Sequence, residues 1–168
     1  MISIISRNIV RFISLIIFQI LILNNINFSG FVNPYLYILF VLLLPFETPK
    51  WFLIISAFLL GLSIDIFSDS LGMHASATVL VAFFRPYVLN LIAPRDGYEP
   101  GTFPRVFYYG FFWFVKYSAL LIVVHHFFFF VIEAFNFQDF NITIIKVFFS
   151  SVFTLIVVIL SQFLIFRK

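Results

Sequence analysis

Almost the whole chain consists of long apolar runs separated by short polar turns, and this pattern limits its possible folds more than any other feature. The mean hydropathy is +1.14, and 63% of the residues are hydrophobic. A water-soluble globule of this size buries only about 70% of its surface and could not hide so much apolar area. We therefore expect an all-α integral membrane protein whose helices satisfy their own backbone while lipid covers their apolar faces.

Composition excludes several classes of function. The chain has no Cys, which excludes disulfides, thiol nucleophiles and thiolate metal sites. Its net charge of +3 is spread along the chain, so no basic patch that could follow a nucleic acid backbone is expected. Because no run is polar enough for a soluble domain, residues 1–168 are expected to form a single membrane domain.

A helix needs about 20 apolar residues to cross a bilayer, or fewer where the bilayer is thin. The segments that meet or approach this length are 9–23, 31–46, 51–67, 71–93, 106–135 and 142–166. A five-span alternative would fuse the second and third segments, but two charges and Pro49 in the turn between them argue against it. The fifth segment would rise about 45 Å, so its aromatic first part is expected to tilt or lie at the interface.

Basic residues in the predicted loops indicate the direction of these six spans. Those on one side are Arg7, Arg11, Lys50, Arg95, Arg105, Arg167 and Lys168. The opposite loops contain no Lys or Arg, and only Lys146 lies near that side. Since cytoplasmic loops carry the excess of Lys and Arg, both termini are expected in the cytoplasm.

Polar residues inside the predicted spans are costly and normally face other helices or water. The third span carries a stripe of small and acidic residues, and a stripe on the fourth could face it: Ala57, Gly61, Asp65 and Asp69, then Ala75, Thr78, Ala82 and Arg85. We expect the two spans to pack as a hairpin through these stripes. Asp65 and Arg85 differ in depth by about 15 Å, so they are not expected to pair.

Two interpretations stay open for the buried charges. Arg85 and Lys116 could extend their side chains toward the cytoplasmic surface, or they could contact a partner. Asp65 could form structural hydrogen bonds or bind a partner.

Catalytic and metal chemistry find little support. Asp65 and Asp69 lie one turn apart on one helix, whereas an intramembrane aspartyl protease draws its two carboxylates from separate helices. His125 and His126 point about 100° apart, and His74 is expected at the opposite surface from any clustered acidic group. We therefore expect no catalytic residue, no metal site and no cofactor.

Residues 61–75, at the junction of the third and fourth predicted spans, read GLSIDIFSDSLGMHA. This segment resembles the characteristic segment of the MreD family of rod shape-determining membrane proteins, approximately G-L-x-x-D, a short turn and L-G-x-x-A. The matching residues are Gly61, Asp65, Leu71 and Gly72. The length, the six-span architecture and Pro34 at the start of the second span agree with the resemblance.

The resemblance implies a non-enzymatic scaffold of the cell-elongation and peptidoglycan-synthesis machinery in the bacterial cytoplasmic (inner) membrane. Such a protein would bind MreC and, through it, act with RodA, a class B penicillin-binding protein and MreB. Gly61 would provide close packing, Asp65 an intramembrane polar anchor, and Leu71 with Gly72 a tight outer turn. Candidates for helix packing or partner contact are Gly61, Asp65, Asp69, Leu71, Gly72, Ala75, Arg85 and Lys116.

The same resemblance leaves an alternative open, because MreD-like proteins are thought to be similar in fold to the S-components of energy-coupling-factor transporters. A small-molecule-binding subunit predicts an outward pocket lined by several convergent polar side chains. Near the outer side the sequence offers only Asp65, Asp69, His74, Glu133 and Asn136. This sparse, acidic set favours the scaffold.

Overall fold

The computed structural model of the protein describes residues 2–26, 32–135 and 140–164, and these residues contain helices but no β-strand. The helices are α1 (Ile2–Leu21), α2 (Leu39–Leu42), α3 (Lys50–Ser68), α4 (Met73–Leu91), α5 (Val106–Tyr109), α6 (Phe111–Ala134) and α7 (Phe140–Leu164). Short 3-10 turns follow α1 at Leu23–Asn25 and precede α2 at Leu36–Ile38. The expected all-α fold is confirmed for the described residues.

Four of these segments are long and apolar enough to cross a membrane: Ser6–Asn25, Lys50–Ser68, Phe111–Ala134 and Phe140–Leu164. Helix α4 is as long as α3 and packs between α3 and α6. Its polar residues make it less apolar than the four segments named above, so it is not among them. The predicted loop 24–30 and the loop 136–141 lie partly outside the described residues. Arg167 and Lys168, which the orientation prediction used, lie wholly outside them.

The predicted second span, 31–46, is wrong as a spanning helix. The part that the structure describes contains only the 3-10 turn at 36–38 and the four residues of α2. Every residue from Pro34 to Leu44 is buried. An apolar run shows that a segment lies in an apolar medium, but it does not distinguish lipid from a surrounding protein core. We call residues 33–45 the central segment.

Side chains of the surrounding helices satisfy the irregular backbone of the central segment. On α1, Gln19 Oε1 accepts the N–H of Leu36 at 2.9 Å, and Gln19 Nε2 donates to the carbonyl of Pro34 at 3.0 Å. On α7, Thr154 Oγ1 accepts the N–H of Tyr35 at 3.1 Å. Non-helical backbone is tolerated at membrane depth only where protein or water supplies such partners, so these polar side chains have a structural purpose.

The predicted fifth span, 106–135, is interrupted. Gly110 has φ 83°, and this conformation separates the single turn α5 from the long helix α6. Glycine adopts a positive φ without the steric cost that a side chain brings. The aromatic first part therefore forms a short turn of its own rather than the tilted start of one 30-residue helix.

The bundle has two ends that later sections use. At the hairpin end, α3 turns into α4. At the opposite, basic end, Arg7, Arg11 and Arg105 line one cavity. Two hydrogen bonds tie the loop after α4 to α6 and to the turn before α3: Trp113 Nε1 donates to the carbonyl of Ile92 at 3.1 Å, and the N–H of Gly101 donates to Glu47 at 3.2 Å.

Candidate functional site

Helices α3 and α4 approach most closely at Gly61. A Cβ placed on Gly61 would lie 2.5 Å from Cα of Ala75 and 2.6 Å from the carbonyl oxygen of His74. Real Cβ atoms do not come so near to backbone, and the backbone of α4 cannot swing aside as a long side chain could. Only glycine at position 61 allows α3 to touch the first turn of α4 in this way.

One turn further along α3, the carboxylate of Asp65 caps α4. Its two oxygens accept the N–H groups of His74 at 3.0 Å and Ala75 at 2.8 Å, and Ser70 Oγ donates to it at 2.6 Å. The first N–H groups of a helix have no partner within the helix, and Gly72, the residue before α4, has no side chain to supply one. Asp65 takes that role from a neighbouring helix, and its negative charge suits the positive end of the helix dipole.

The turn between the helices depends on two left-handed residues. Asp69 ends α3 with φ 50°, and Gly72 precedes α4 with φ 81°. Asp and Gly are among the residues that tolerate this conformation best. Leu71, at the tip of the turn, is fully exposed. Its side chain therefore adds nothing to the packing inside the hairpin.

The structure places Asp65 away from Arg85. Asp65 is 4% exposed and holds the start of α4, whereas Arg85 is the thirteenth of the 19 residues of that helix. Because both carboxylate oxygens of Asp65 already accept hydrogen bonds, the geometry favours the structural interpretation of this residue over partner binding.

The interpretation that Arg85 extends toward the surface is wrong. Arg85 is 2% exposed; its Nε donates to the hydroxyl of Tyr117 at 2.9 Å, and its guanidinium also donates to the carbonyl of Leu44. The hydroxyl of Tyr117 in turn donates to the carbonyl of Leu42 at 3.0 Å. Arg85 thus supplies a hydrogen-bond donor to the backbone carbonyls at the end of the central segment. The sequence pattern had predicted an ordinary helix there. Lys116 is exposed, so its proposed extension toward the surface stays a prediction.

A buried network of aromatic hydroxyl and imidazole groups lies inside the bundle, next to the hairpin end. The hydroxyl of Tyr37 is hydrogen-bonded to Nδ1 of His74 at 2.8 Å and to Nε2 of His125 at 2.7 Å. His126 is hydrogen-bonded through Nε2 to Thr154 at 3.0 Å. A single hydroxyl carries one proton, so Tyr37 donates to one of the two imidazoles and accepts from the other.

The expected separation of His74 from acidic groups is also wrong. His74 is the second residue of α4, and its backbone N–H donates to Asp65. His125 and His126 do bind different partners, as their positions on a helix predict. Among the described residues, no three His, Asp or Glu side chains are arranged to hold a metal ion.

A cavity of about 650 Å³ lies at the hairpin end, directly above this network. The polar side chains around it belong to the 3-10 turn after α1, the central segment, the hairpin and α6, and include Asn24, Asn33, Asp69, Ser70, His74 and Glu133. Glu133 is paired with Lys146 at 3.4 Å. The volume falls within the range of small-molecule sites, about 300–1,000 Å³.

Sequence reasoning missed Tyr37, Gln19 and the asparagines of the cavity. Tyr37 and His125 are 88 positions apart, and no local pattern predicts that they meet. One signal was present: Gln19 lies in an apolar run, and a buried amide in a membrane helix needs a partner.

Comparison of the chain with models of protein families, with curated proteins and with solved structures finds no match. The resemblance of residues 61–75 to the MreD segment thus rests on the residues quoted above, and the geometry of the hairpin and cavity must support any function on its own.

Proposed function

We propose that this protein is a non-enzymatic scaffold of the bacterial cell-elongation machinery, similar to MreD, that binds MreC in the cytoplasmic membrane. The observation that supports the proposal best is the shared use of the motif residues. Gly61, Asp65 and Gly72 all serve one feature, the junction of α3 with the start of α4. A motif that builds one rigid hairpin is suited to a protein that presents helix faces to a neighbour.

The proposed orientation puts the basic end in the cytoplasm. Arg7, Arg11 and Arg105 meet there, while the hairpin end carries Asp69 and Glu133. This distribution agrees with the tendency of basic residues to stay on the cytoplasmic side. MreB would then lie below the basic end, and the periplasmic parts of MreC, RodA and the class B penicillin-binding protein would lie at the hairpin end.

The test is cross-linking and co-purification from native membranes. A photoreactive residue at Leu59 of α3 or Phe83 of α4, both exposed, should capture MreC, whereas one at buried Leu60 should not. Asp65→Leu, which removes the cap of α4, should reduce recovery of MreC, and Asp96→Asn, in the exposed loop after α4, should leave it unchanged. Recovery of a transporter ATPase, with no wall-synthesis protein from any position, would reject the scaffold.

The cavity at the hairpin end favours a second candidate, a small-molecule-binding subunit of a transporter. It brings together more polar groups than the sequence predicted, since three asparagines join the acidic residues and His74. Native mass spectrometry of the freshly purified chain should then show a bound compound of a few hundred daltons. Met73→Trp, which fills the cavity, should remove that compound, and Leu120→Trp on the exposed surface of α6 should retain it.

A further inference from the structure

The cavity at the hairpin end runs from an exposed rim to a buried floor. At the rim, Phe67 is 66% exposed, and Asp69 is exposed as well. The floor consists of Tyr35, His74 and Phe129, which are 7%, 4% and 3% exposed. These three rings lie against one another, with centroid separations of 5.0 Å, 4.9 Å and 4.4 Å. A ligand in the cavity would therefore meet water at one end and an aromatic surface at the other.

Two polar atoms of the floor have no partner among the described residues. They are the hydroxyl oxygen of Tyr35 and Nε2 of His74, whose ring is bonded only through Nδ1. In the described part of the chain, the unpartnered side-chain atoms that are also sealed from solvent belong to other residues. Both floor atoms are therefore open to the cavity, although their side chains are more than nine-tenths buried. Because a buried polar group without a hydrogen bond is costly, the contents of the cavity must supply their partners.

The hydrogen bonds beneath the floor determine which nitrogen of His74 carries the proton. The rings of His74 and His125 are buried and form no ion pair within the described ranges, so each is neutral and carries one proton. Nδ1 of His125 is buried without a partner, whereas its Nε2 is bonded to the hydroxyl of Tyr37. An orphaned buried N–H is rarer than an orphaned acceptor, so His125 donates to Tyr37. Tyr37 then donates to Nδ1 of His74, and the proton of His74 is on Nε2, as a donor to the cavity.

The rim has the opposite chemistry. The carboxylate of Asp69 is exposed and pairs with none of the described residues. Glu133 also lines the cavity, but Lys146 balances its charge at 3.4 Å. Asn25 donates its amide N–H groups to two backbone carbonyls of α1, which leaves its side-chain oxygen as an acceptor. The rim thus offers acceptors and one carboxylate without a counter-charge, whereas the floor offers donors.

We propose that this cavity binds a small aromatic amine. Its ring would lie against the floor, a carbonyl or ring-nitrogen acceptor would face His74 Nε2 and the Tyr35 hydroxyl, and a protonated amino group would face Asp69. This ligand class refines the second candidate function given above and rests on it. An uncharged aromatic compound gains nothing from Asp69, and an aromatic carboxylate is repelled by it. The volume of about 650 Å³ is sufficient for a compound of this size.

The probe is para-(aminomethyl)benzamide, which has an amide carbonyl at one end of its ring and an ammonium group at the other. Two analogues are its controls: para-methylbenzamide lacks the charge, and para-carbamoylbenzoate reverses it. The full chain in detergent is labelled at its histidine nitrogens for NMR, which gives few signals because the sequence contains three histidines. The amine should shift the His74 signals with a Kd of about 1 mM, as expected for a fragment. Each analogue should bind about fivefold more weakly.

Variants at the two ends of the cavity separate the contributions of charge and hydrogen bonding. Asp69→Asn should abolish the preference for the amine over para-methylbenzamide, and Asp96→Asn, in the exposed loop after α4, should retain it. Tyr35→Phe should weaken binding of the amine by about fivefold, since it removes a donor from the floor. Tyr87→Phe, on the exposed surface of α4, is its control. Thermal melting of each variant without ligand verifies that it is folded.

Three results would overturn the inference. If para-carbamoylbenzoate binds as tightly as the amine, or if Asp96→Asn loses the preference as Asp69→Asn does, the cavity is a small-molecule site for another class of ligand. If the free chain carries the His74 proton on Nδ1, the floor lacks the proposed donor. If none of the probes shifts the His74 signals, the aromatic amine is rejected, and native mass spectrometry of the purified chain decides the second candidate function separately. Cross-linking to MreC tests the scaffold independently of all three.

Discussion

The carboxylate of Asp65 accepts the backbone N–H of Ala75 at 2.8 Å, so the last turns of α3 cap the first turn of α4. Its other oxygen accepts the N–H of His74 and a hydrogen bond from Ser70. A single side chain thereby satisfies two orphan helix donors and fixes the turn between the helices.

Asp65→Asn should destabilise the protein by about 2–3 kcal/mol, because the amide has one acceptor oxygen where the carboxylate has two and loses the negative charge beside the helix end. A lower midpoint of thermal unfolding in detergent measures this. Asp69→Asn is the matched control, since Asp69 is exposed and Asn tolerates its left-handed conformation. Equal stability of the two variants would contradict the capping role.

Gly61→Ala should cost about 1–3 kcal/mol through overpacking, because the added methyl group would overlap the backbone of α4. Gly61→Leu should reduce the yield of folded protein further. Ser63→Ala, two positions along the same helix at a more exposed site, should have little effect. If the melting temperature of Gly61→Ala equals that of the wild type, the two helices do not touch at this point.

Tyr37→Phe should lower the free energy of unfolding by about 1–3 kcal/mol, since it leaves ring nitrogens of His74 and His125 buried without their shared partner. Chemical or thermal unfolding of the purified protein measures the loss. Tyr87→Phe removes the same hydroxyl from a side chain that is 57% exposed and should be neutral. A neutral result for Tyr37→Phe would mean that water or another group replaces the hydroxyl.

Arg85→Lys should loosen the end of the central segment. Lysine keeps the charge but lacks the planar group that binds Tyr117 and Leu44 together, so a loss of about 1–3 kcal/mol is expected. Hydrogen exchange should rise at residues 43–48 compared with the wild type. The reverse exchange, Lys116→Arg, is the control at an exposed site, and unchanged protection in both variants would argue against the role of Arg85.

The α3–α4 hairpin could be predicted from the sequence because its parts are close together in the chain. Gly61, Asp65 and Gly72 lie within 15 residues, and helical spacing alone places the first two on one face. The structure of the central segment could not be predicted in this way. Its apolar residues satisfy the pattern of a spanning helix, and the helices that surround it and supply its hydrogen bonds are up to 119 positions away.

The same difference between local and long-range contacts explains why the sequence predicted the divergence of His125 and His126 but not the surroundings of His74. Divergence of His125 from His126 follows from helix geometry and needs no tertiary information. The neighbourhood of His74 depends on how α3, α4 and the central segment meet, so it emerged only with the fold. Long-range hydrogen bonds between single polar side chains leave no periodic trace in a sequence.

The cap that Asp65 places on α4 also has a consequence for biogenesis. The N–H groups of His74 and Ala75 are only nine and ten positions from Asp65 in the chain. Closing this short loop therefore costs little chain entropy and requires none of the later helices. We expect α3 and α4 to enter the bilayer together during synthesis, as one preassembled hairpin against which α6 packs later.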